Sequence, residues 1–289
     1  MKDIVKEKIA SLLSTDEDIL SVEQLGGMTN QNYLVKTSSN QYIVKFFGKG
    51  TDKLIDRQNE KFNLELLKDL KLDVENYLFD IDAGIKVNQY IENAETLDST
   101  TIKTKFEKIS PILQTIHASG KELKGKFAPF EEIKKYESLI QGEISYPNYE
   151  VVRKSVFSLK DQLEEIGMDK KSCHIDLVPE NFIEGPDGHL YLIDWEYSSM
   201  NDPMWDLAAL FLESEFTSAE EEDFLSHYES DKTPVSRDKI RIYKILQDII
   251  WSLWTIYKEE NGADFGDYGI FRYNRAVKEL DCEGDLNEN

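Results

Sequence analysis

The sequence predicts an α+β fold, with a small β-rich N-terminal part, residues 1–91, followed by a larger, mainly helical part, residues 92–289. Two observations lead there. Runs of β-branched and aromatic residues separated by short polar links crowd the chain before residue 92, whereas from Thr96 onward apolar residues recur at helical spacing, interrupted by one β segment around Cys173 to Trp195. Composition agrees with a folded chain: 289 residues that are 40% hydrophobic and 11% aromatic carry enough apolar surface to offset the entropy of ordering.

Taken in order, Met1 to Leu13 alternates charged residues with Ile4, Val5, Ile9, Leu12 and Leu13, an amphipathic helical spacing without the apolar core of a secretion signal. Strand-like runs follow at Val22–Leu25, Asn32–Thr37 and Tyr42–Phe47, and the polar link Ser38, Ser39, Asn40 makes a hairpin of the last two. Arg57 to Leu70 reads as a helix, with Phe62, Leu66, Leu67 and Leu70 at core spacing and Glu60 near its start. Tyr77–Ile81 and Ile85–Ile91 complete the β-rich part, and Gln89 to Asn93 forms a connector. In the helical part Ile240 to Tyr257 is the most apolar stretch, but Arg241, Lys244 and Asp248 make it a buried helix and not a membrane span. Cys282 to Asn289 is an acidic tail.

Charge narrows the partners. Lys plus Arg contribute 34 positive charges against 56 from Asp plus Glu, a formal net charge of -22. Nucleic acid and anionic membrane surfaces are met by basic patches, so neither is expected as a partner, nor is membrane insertion. Two cysteines, Cys173 and Cys282, make no disulfide framework or metal clip and point to a reducing, cytoplasmic setting.

The residues able to do chemistry concentrate in CHIDLVPENF and YLIDWEY. His174, Asp176 and Asn181 stand in the order H-x-D-x-x-x-x-N, the catalytic-loop spacing of the protein-kinase class. There the aspartate orients the attacking hydroxyl and takes its proton, and the asparagine holds magnesium. Asp194 follows the apolar run Leu190–Ile193, where a second metal-binding carboxylate is expected; Mg²⁺ takes such oxygen ligands together with nucleotide phosphates. Pro186, Asp187 and Gly188 supply a turn that brings Asn181 and Asp194 to neighbouring positions of one hairpin. Upstream, Gly26, Gly27, Met28, Thr29 and Asn30 lie between two strands, where backbone N–H groups can meet phosphate oxygens. Lys45 in the strand YIVKFF and Glu60 in the next helix are ordered like the lysine–glutamate pair by which kinases grip phosphates.

With these motifs assembled, the chain resembles the choline/ethanolamine kinase and aminoglycoside phosphotransferase family, most of all its Lic-type bacterial choline kinases. The resemblance runs over nearly the whole chain and rests on GGMTNQNYLV, YIVKFFG, IDRQNEKFN, GIKVNQYI, CHIDLVPENF, LIDWEYSSMNDPMWDLA and WSLWTIYKEE. It implies a protein-kinase-like two-lobed fold, ATP as co-substrate bound in the cleft, Mg²⁺ as cofactor, and transfer of the γ-phosphoryl group to a small alcohol. On this resemblance Asp176 is the catalytic base and Asn181 and Asp194 are magnesium ligands. Gly27, Thr29, Asn30 and Lys45 would hold phosphates, Glu60 would anchor Lys45, and Gln89, Tyr90 and Ile91 would face the adenine.

The pattern departs from protein kinases at three places: Ile175 follows His174, Trp195 and Glu196 follow Asp194, and no segment ends in Ala-Pro-Glu, so a protein substrate is not expected. Aromatic residues point to the acceptor. A quaternary ammonium donates no hydrogen bond and is recognised by aromatic faces and carboxylates, and Trp251 and Trp254 lie i, i+3 on one helix face. Similarity to choline kinases places Tyr197, Trp251, Trp254 and Tyr268 around choline, with Glu213 supplying negative charge and Arg272 nearby. Choline kinase is therefore the expected activity, with choline and ATP as small-molecule partners. Ethanolamine or an aminoglycoside as acceptor, a nucleotide-binding regulator without catalysis, and a metal-dependent hydrolase are the alternatives. The last would need more histidines than His117, His189 and His227, which do not cluster with the motif.

Overall fold

Val22 pairs with Val35, Tyr33 with Val44, and Val44 with Val87, and all five residues are buried. Side chains alternate across a strand, so this register gathers them on one face of an antiparallel sheet. The sheet comprises β1 (Ile19–Gln24), β2 (Gln31–Thr37), β3 (Gln41–Phe46), β4 (Asn76–Asp80) and β5 (Ile85–Gln89), in the order β1-β2-β3-β5-β4. The computed structural model describes residues 17–26, 30–48 and 50–284, with side chains to residue 280. The expected helix at Met1–Leu13, the turn residues Gly27 to Thr29 and the acidic tail side chains from Cys282 lie outside the described residues.

The predicted strands appear within two residues of their expected bounds except that β1 starts three residues earlier, at Ile19, and the polar link at Ser38–Asn40 closes the β2–β3 hairpin, with Thr37 N donating to Asn40 O at 2.8 Å. Helix α1 (Arg57–Leu67) starts at Asp56, whose carboxylate accepts from Gln58 N at 3.0 Å and Asn59 N at 3.1 Å, a side-chain N-cap. Its buried face differs from the expectation. Phe62 is 40% exposed, and Arg57, Glu60, Asn63 and Leu67 are the buried residues, because this helix faces charged partners and not an apolar core. The α-helix stops at Leu67 and continues as a 3-10 turn over Lys68–Leu70.

The chain forms two compact units. One contains the residues through Thr96 together with Phe182–Glu196; the other contains Leu97–Asn181 and the chain from Tyr197 onward. The first unit gains a second small sheet from β6 (Glu95–Thr96), β8 (Phe182–Glu184) and β9 (Leu190–Leu192). In the second unit β7 (Lys171–Cys173) pairs with β10 (Ser199–Asn201). Its helices are α2 (Phe106–His117), α3 (Pro129–Leu139), α4 (Tyr149–Ile166), α5 (Pro203–Glu213), α6 (Ser218–Tyr228), α7 (Arg237–Glu260) and α8 (Tyr268–Gly284). Helix α7 is the centre of this unit, packing against α3, α4, α5 and α8. Near the start of α8 the packing needs a glycine: a Cβ on Gly269 would lie 2.5 Å from the Tyr146 hydroxyl and 3.0 Å from Thr255. Among the described residues no helix is long and apolar enough to cross a membrane.

The segment after β7 is held by Asp206 of α5. Its carboxylate, fully buried, accepts from His174 N and Ile175 N at 2.8 Å each and lies 3.0 Å from His117 Nε2, whose other ring nitrogen is 2.7 Å from the Tyr228 hydroxyl. Trp205, beside Asp206 in sequence, donates from Nε1 to Ile175 O at 3.0 Å. Asp206→Ala leaves two buried N–H groups without their acceptor, and is expected to lower unfolding free energy by about 3 kcal/mol or more, read as a fall in urea midpoint.

Candidate active site

Lys45 of β3 and Lys86 of β5 are register partners, on the sheet face opposite Val44 and Val87. Like charges directly across a ladder repel, and these lysines are only 6% and 2% exposed, so each needs a carboxylate of its own. They take different ones. Lys45 Nζ donates to Asp194 Oδ1 at 2.7 Å, and Lys86 Nζ donates to Glu60 Oε1 at 2.5 Å. The expected Lys45–Glu60 pair is thus replaced: Lys86, which sequence reading missed, holds Glu60. The only signal was a lysine inside an apolar strand, and its meaning depends on a register that the sequence does not display.

The cluster extends through Arg57. Its Nη1 donates to Glu60 Oε2 at 2.6 Å and Glu196 Oε2 at 3.0 Å, and its Nη2 donates to Asn30 Oδ1 at 3.0 Å. Asn30 Nδ2 donates in turn to Glu196 Oε2 at 2.7 Å. The far end of the glycine turn is thereby tied both to α1 and to the segment two residues past Asp194. Gly27 and Thr29 of that turn lie outside the described residues, while Gln89 is tied to the residue just before β4, accepting at Oε1 from Glu75 N at 3.2 Å. Tyr90 and Ile91 follow it, half-buried.

These contacts set the protonation states. Burial opposes the charged form of Lys45, but Asp194, Glu196 and Glu60 outweigh it and push the ammonium up to about 12. Burial likewise opposes the Glu60 carboxylate, yet Lys86 and Arg57 hold it below its usual range. Glu196 goes the other way, raised by burial and by the nearby Asp194 charge. Asp73, also unnoticed in the sequence, is pushed by burial from 3.8 up to about 7 despite the opposing charge of Lys86.

The predicted turn at Pro186–Gly188 forms: Phe182 pairs with Leu192, Gly185 N donates to His189 O at 2.9 Å, and Gly188 adopts a φ of 78°. Asn181 immediately precedes this hairpin and Asp194 follows it by two residues. Asp194 has a φ of 68°, a left-handed conformation that a non-glycine residue adopts only when its surroundings impose it, and its side chain remains 27% exposed. In the second unit Ile175 has a φ of 79°, imposed by the Asp206 grip on its own N–H and that of His174. Asn181, itself buried, donates from Nδ2 to Asp176 O at 2.9 Å, which keeps the Asp176-to-Asn181 loop closed.

The predicted acceptor residues come together in the second unit. Tyr197 meets Trp251 edge-on with ring centroids 5.8 Å apart, Trp251 meets Trp254 at 6.3 Å, and Trp254 meets Phe265 at 4.9 Å. Phe265, which sequence reading passed over, links this run to Tyr268 at 6.4 Å. Asp176 belongs to the same neighbourhood, its charge helping to raise the phenols of Tyr136 and Tyr268, which burial already raises. Glu213 is present as well, but it accepts from Arg272 Nη1 at 2.5 Å, so the negative charge expected of it is already balanced. Trp205 and Trp195 are packing residues, 0% and 1% exposed, and Trp195 belongs to the first unit.

A family model described as choline/ethanolamine kinase matches residues 22–277. The chain belongs to the choline/ethanolamine kinase family. Protein LicA of Haemophilus influenzae is 32% identical over 269 residues, covering 89% of this chain and 79% of that protein. The crystal structure of choline kinase LicA from Streptococcus pneumoniae is 76% identical, covers 98% of this chain and 99% of its own, and superposes with a TM-score of 0.94. A structure of LicA in complex with AMP is 77% identical, covers 98% of each chain, and has a TM-score of 0.92. The protein-kinase-like fold expected from the motifs is therefore the fold of this choline/ethanolamine kinase family member, a β-rich N-terminal region followed by a helical one.

Asp73 generates a stability test. Between about pH 4 and pH 7 the folded protein keeps a proton on this carboxyl that the unfolded chain has released, so its contribution makes stability fall as pH rises through that window. Asp73→Asn is expected to flatten the dependence, with a thermal midpoint that gains on the parent at pH 7.5 but not at pH 4.5.

Proposed function

We propose that this chain is a choline kinase, transferring the γ-phosphoryl group of ATP to the hydroxyl of choline to give phosphocholine and ADP in the cytoplasm. The observation that carries the reading is the 76% identity, over 98% of the chain, to a choline kinase of solved structure. The AMP bound by a 77% identical relative supports an adenine nucleotide as co-substrate. The aromatic run from Tyr197 to Tyr268 supports a quaternary ammonium acceptor: Trp251 and Trp254 are 9% and 6% exposed, and flat π faces attract a cation that cannot donate hydrogen bonds.

Each group then has a task. Asp176 orients the choline hydroxyl and takes its proton as the oxygen attacks the γ-phosphorus and the bond to the ADP oxygen breaks. Lys45, charged at any physiological pH, neutralises phosphate oxygens. By the family resemblance Asp194 and Asn181 would be the residues that hold Mg²⁺; each carries a hard oxygen donor, which suits that ion better than a softer metal. When bound, the ion neutralises charge on the triphosphate. Lys45 and Asp194 are ion-paired at 2.7 Å, which puts the cation and the carboxylate proposed for phosphate and metal side by side.

Parallel measurements of ATP consumption with choline, ethanolamine and kanamycin, with and without Mg²⁺, test the reading. Consumption that depends on choline and on Mg²⁺ is expected; a rate indifferent to choline overturns it. Asp176→Ala is expected to lower kcat by about 10²–10⁴-fold while nucleotide affinity, read by calorimetry, stays close to that of the parent. Trp254→Ala is expected to raise the choline KM roughly two- to thirtyfold, the range of one cation–π contact, and to leave the ATP KM nearly unchanged.

A further inference from the structure

Arg272 is 1% exposed, an unusual place for a guanidinium beside a site meant for a cation. Its Nη1 donates to Glu213 Oε1 at 2.5 Å and to the Tyr268 hydroxyl at 2.6 Å, its Nε lies 3.0 Å from Asp248 Oδ1, and its Cζ lies 5.3 Å from the Tyr268 ring centroid. Asp248 is held independently by Arg275, which donates from Nε at 2.6 Å and Nη2 at 2.7 Å. Two carboxylates and two guanidiniums thus cancel, and among the described residues the carboxylate that Arg272 alone balances is Glu213. The Tyr268 hydroxyl oxygen is likewise engaged.

We propose that Arg272 is the specificity-determining residue of the acceptor pocket, which by neutralising Glu213 leaves aromatic faces as the means of holding a cation and so selects a quaternary over a primary ammonium. The inference rests on the choline kinase reading. A primary ammonium brings three N–H donors that need acceptors, and a donor left unpaired in a desolvated pocket weakens binding, whereas a trimethylammonium has none to satisfy. Rejection here works through the acceptor that has been withdrawn, and not through a contact that has been added.

The test measures kcat and KM for choline, N,N-dimethylethanolamine, N-methylethanolamine and ethanolamine at saturating Mg-ATP. For the parent enzyme kcat/KM is expected to fall stepwise as methyl groups are removed, by tenfold or more in total. Arg272→Met keeps an unbranched stem but removes the guanidinium, leaves Asp248 with Arg275 and frees Glu213. It is expected to lower the choline-to-ethanolamine ratio at least tenfold, mainly through a smaller ethanolamine KM, and adding Glu213→Gln in the double variant is expected to return the ratio toward the parent value. A purely structural role for Arg272 would lower both acceptors alike. A folded Arg272→Met with an unchanged ratio overturns the inference. Should that variant not fold, the parent series decides: ethanolamine used within threefold of choline overturns it. A parent inactive on choline counts instead against the choline kinase reading itself.

Discussion

The first unit depends on a single electrostatic constraint: Lys45 and Lys86 sit side by side on adjacent strands, nearly buried, where like charges are poorly screened. Removing one carboxylate partner would leave a buried charge uncompensated, so both Asp194 and Glu60 are required where they stand. The rest follows from that requirement. Glu60 fixes which face α1 turns to the sheet, a polar face in place of the apolar one its leucines suggest. Arg57 then balances Glu60 and Glu196 together and, through Asn30, sets the exit of the glycine turn. Within this network of balanced charges Asp194 is the partly exposed member, its side chain 27% exposed against 8% for that of Lys45.

The second unit solves a different problem, that of holding a strained loop. Ile175 is a β-branched residue at a positive φ, a conformation costing on the order of 1–3 kcal/mol, and it persists because Asp206 accepts from its N–H and from that of His174 while Trp205 donates to its carbonyl. The strain aims the following residue, Asp176, toward the neighbourhood of Tyr136 and Tyr268. His174 itself is fully buried, so within the H-x-D pattern the histidine is a packing residue and the aspartate the half-exposed, chemically available one.

The overall charge of -22 acquires a different meaning beside these clusters. Carboxylates that matter to the sites, Glu60, Glu196, Asp206, Glu213 and Asp248, are buried or nearly so and each has a cationic or N–H partner. They add little net field. The excess negative charge is therefore a property of the solvated surface, where it favours approach of small cations and disfavours polyanions.

By itself the sequence determined the order of elements, the hairpins at Ser38–Asn40 and Pro186–Gly188, the H-x-D-x-x-x-x-N loop, Asp194 and the aromatic residues, because these are local: spacing, turn chemistry and periodicity within a few residues of one another. Strand and helix bounds were legible to within about three residues for the same reason. Only the tertiary structure decided the partners. That Glu60 belongs to Lys86, that Asp206 grips the loop thirty residues before it, that Phe265 bridges Trp254 to Tyr268, and that Arg272 neutralises Glu213 all depend on register and on helices meeting far along the chain. Charge pairing is set by which groups share a desolvated space, and no spacing in a sequence records that.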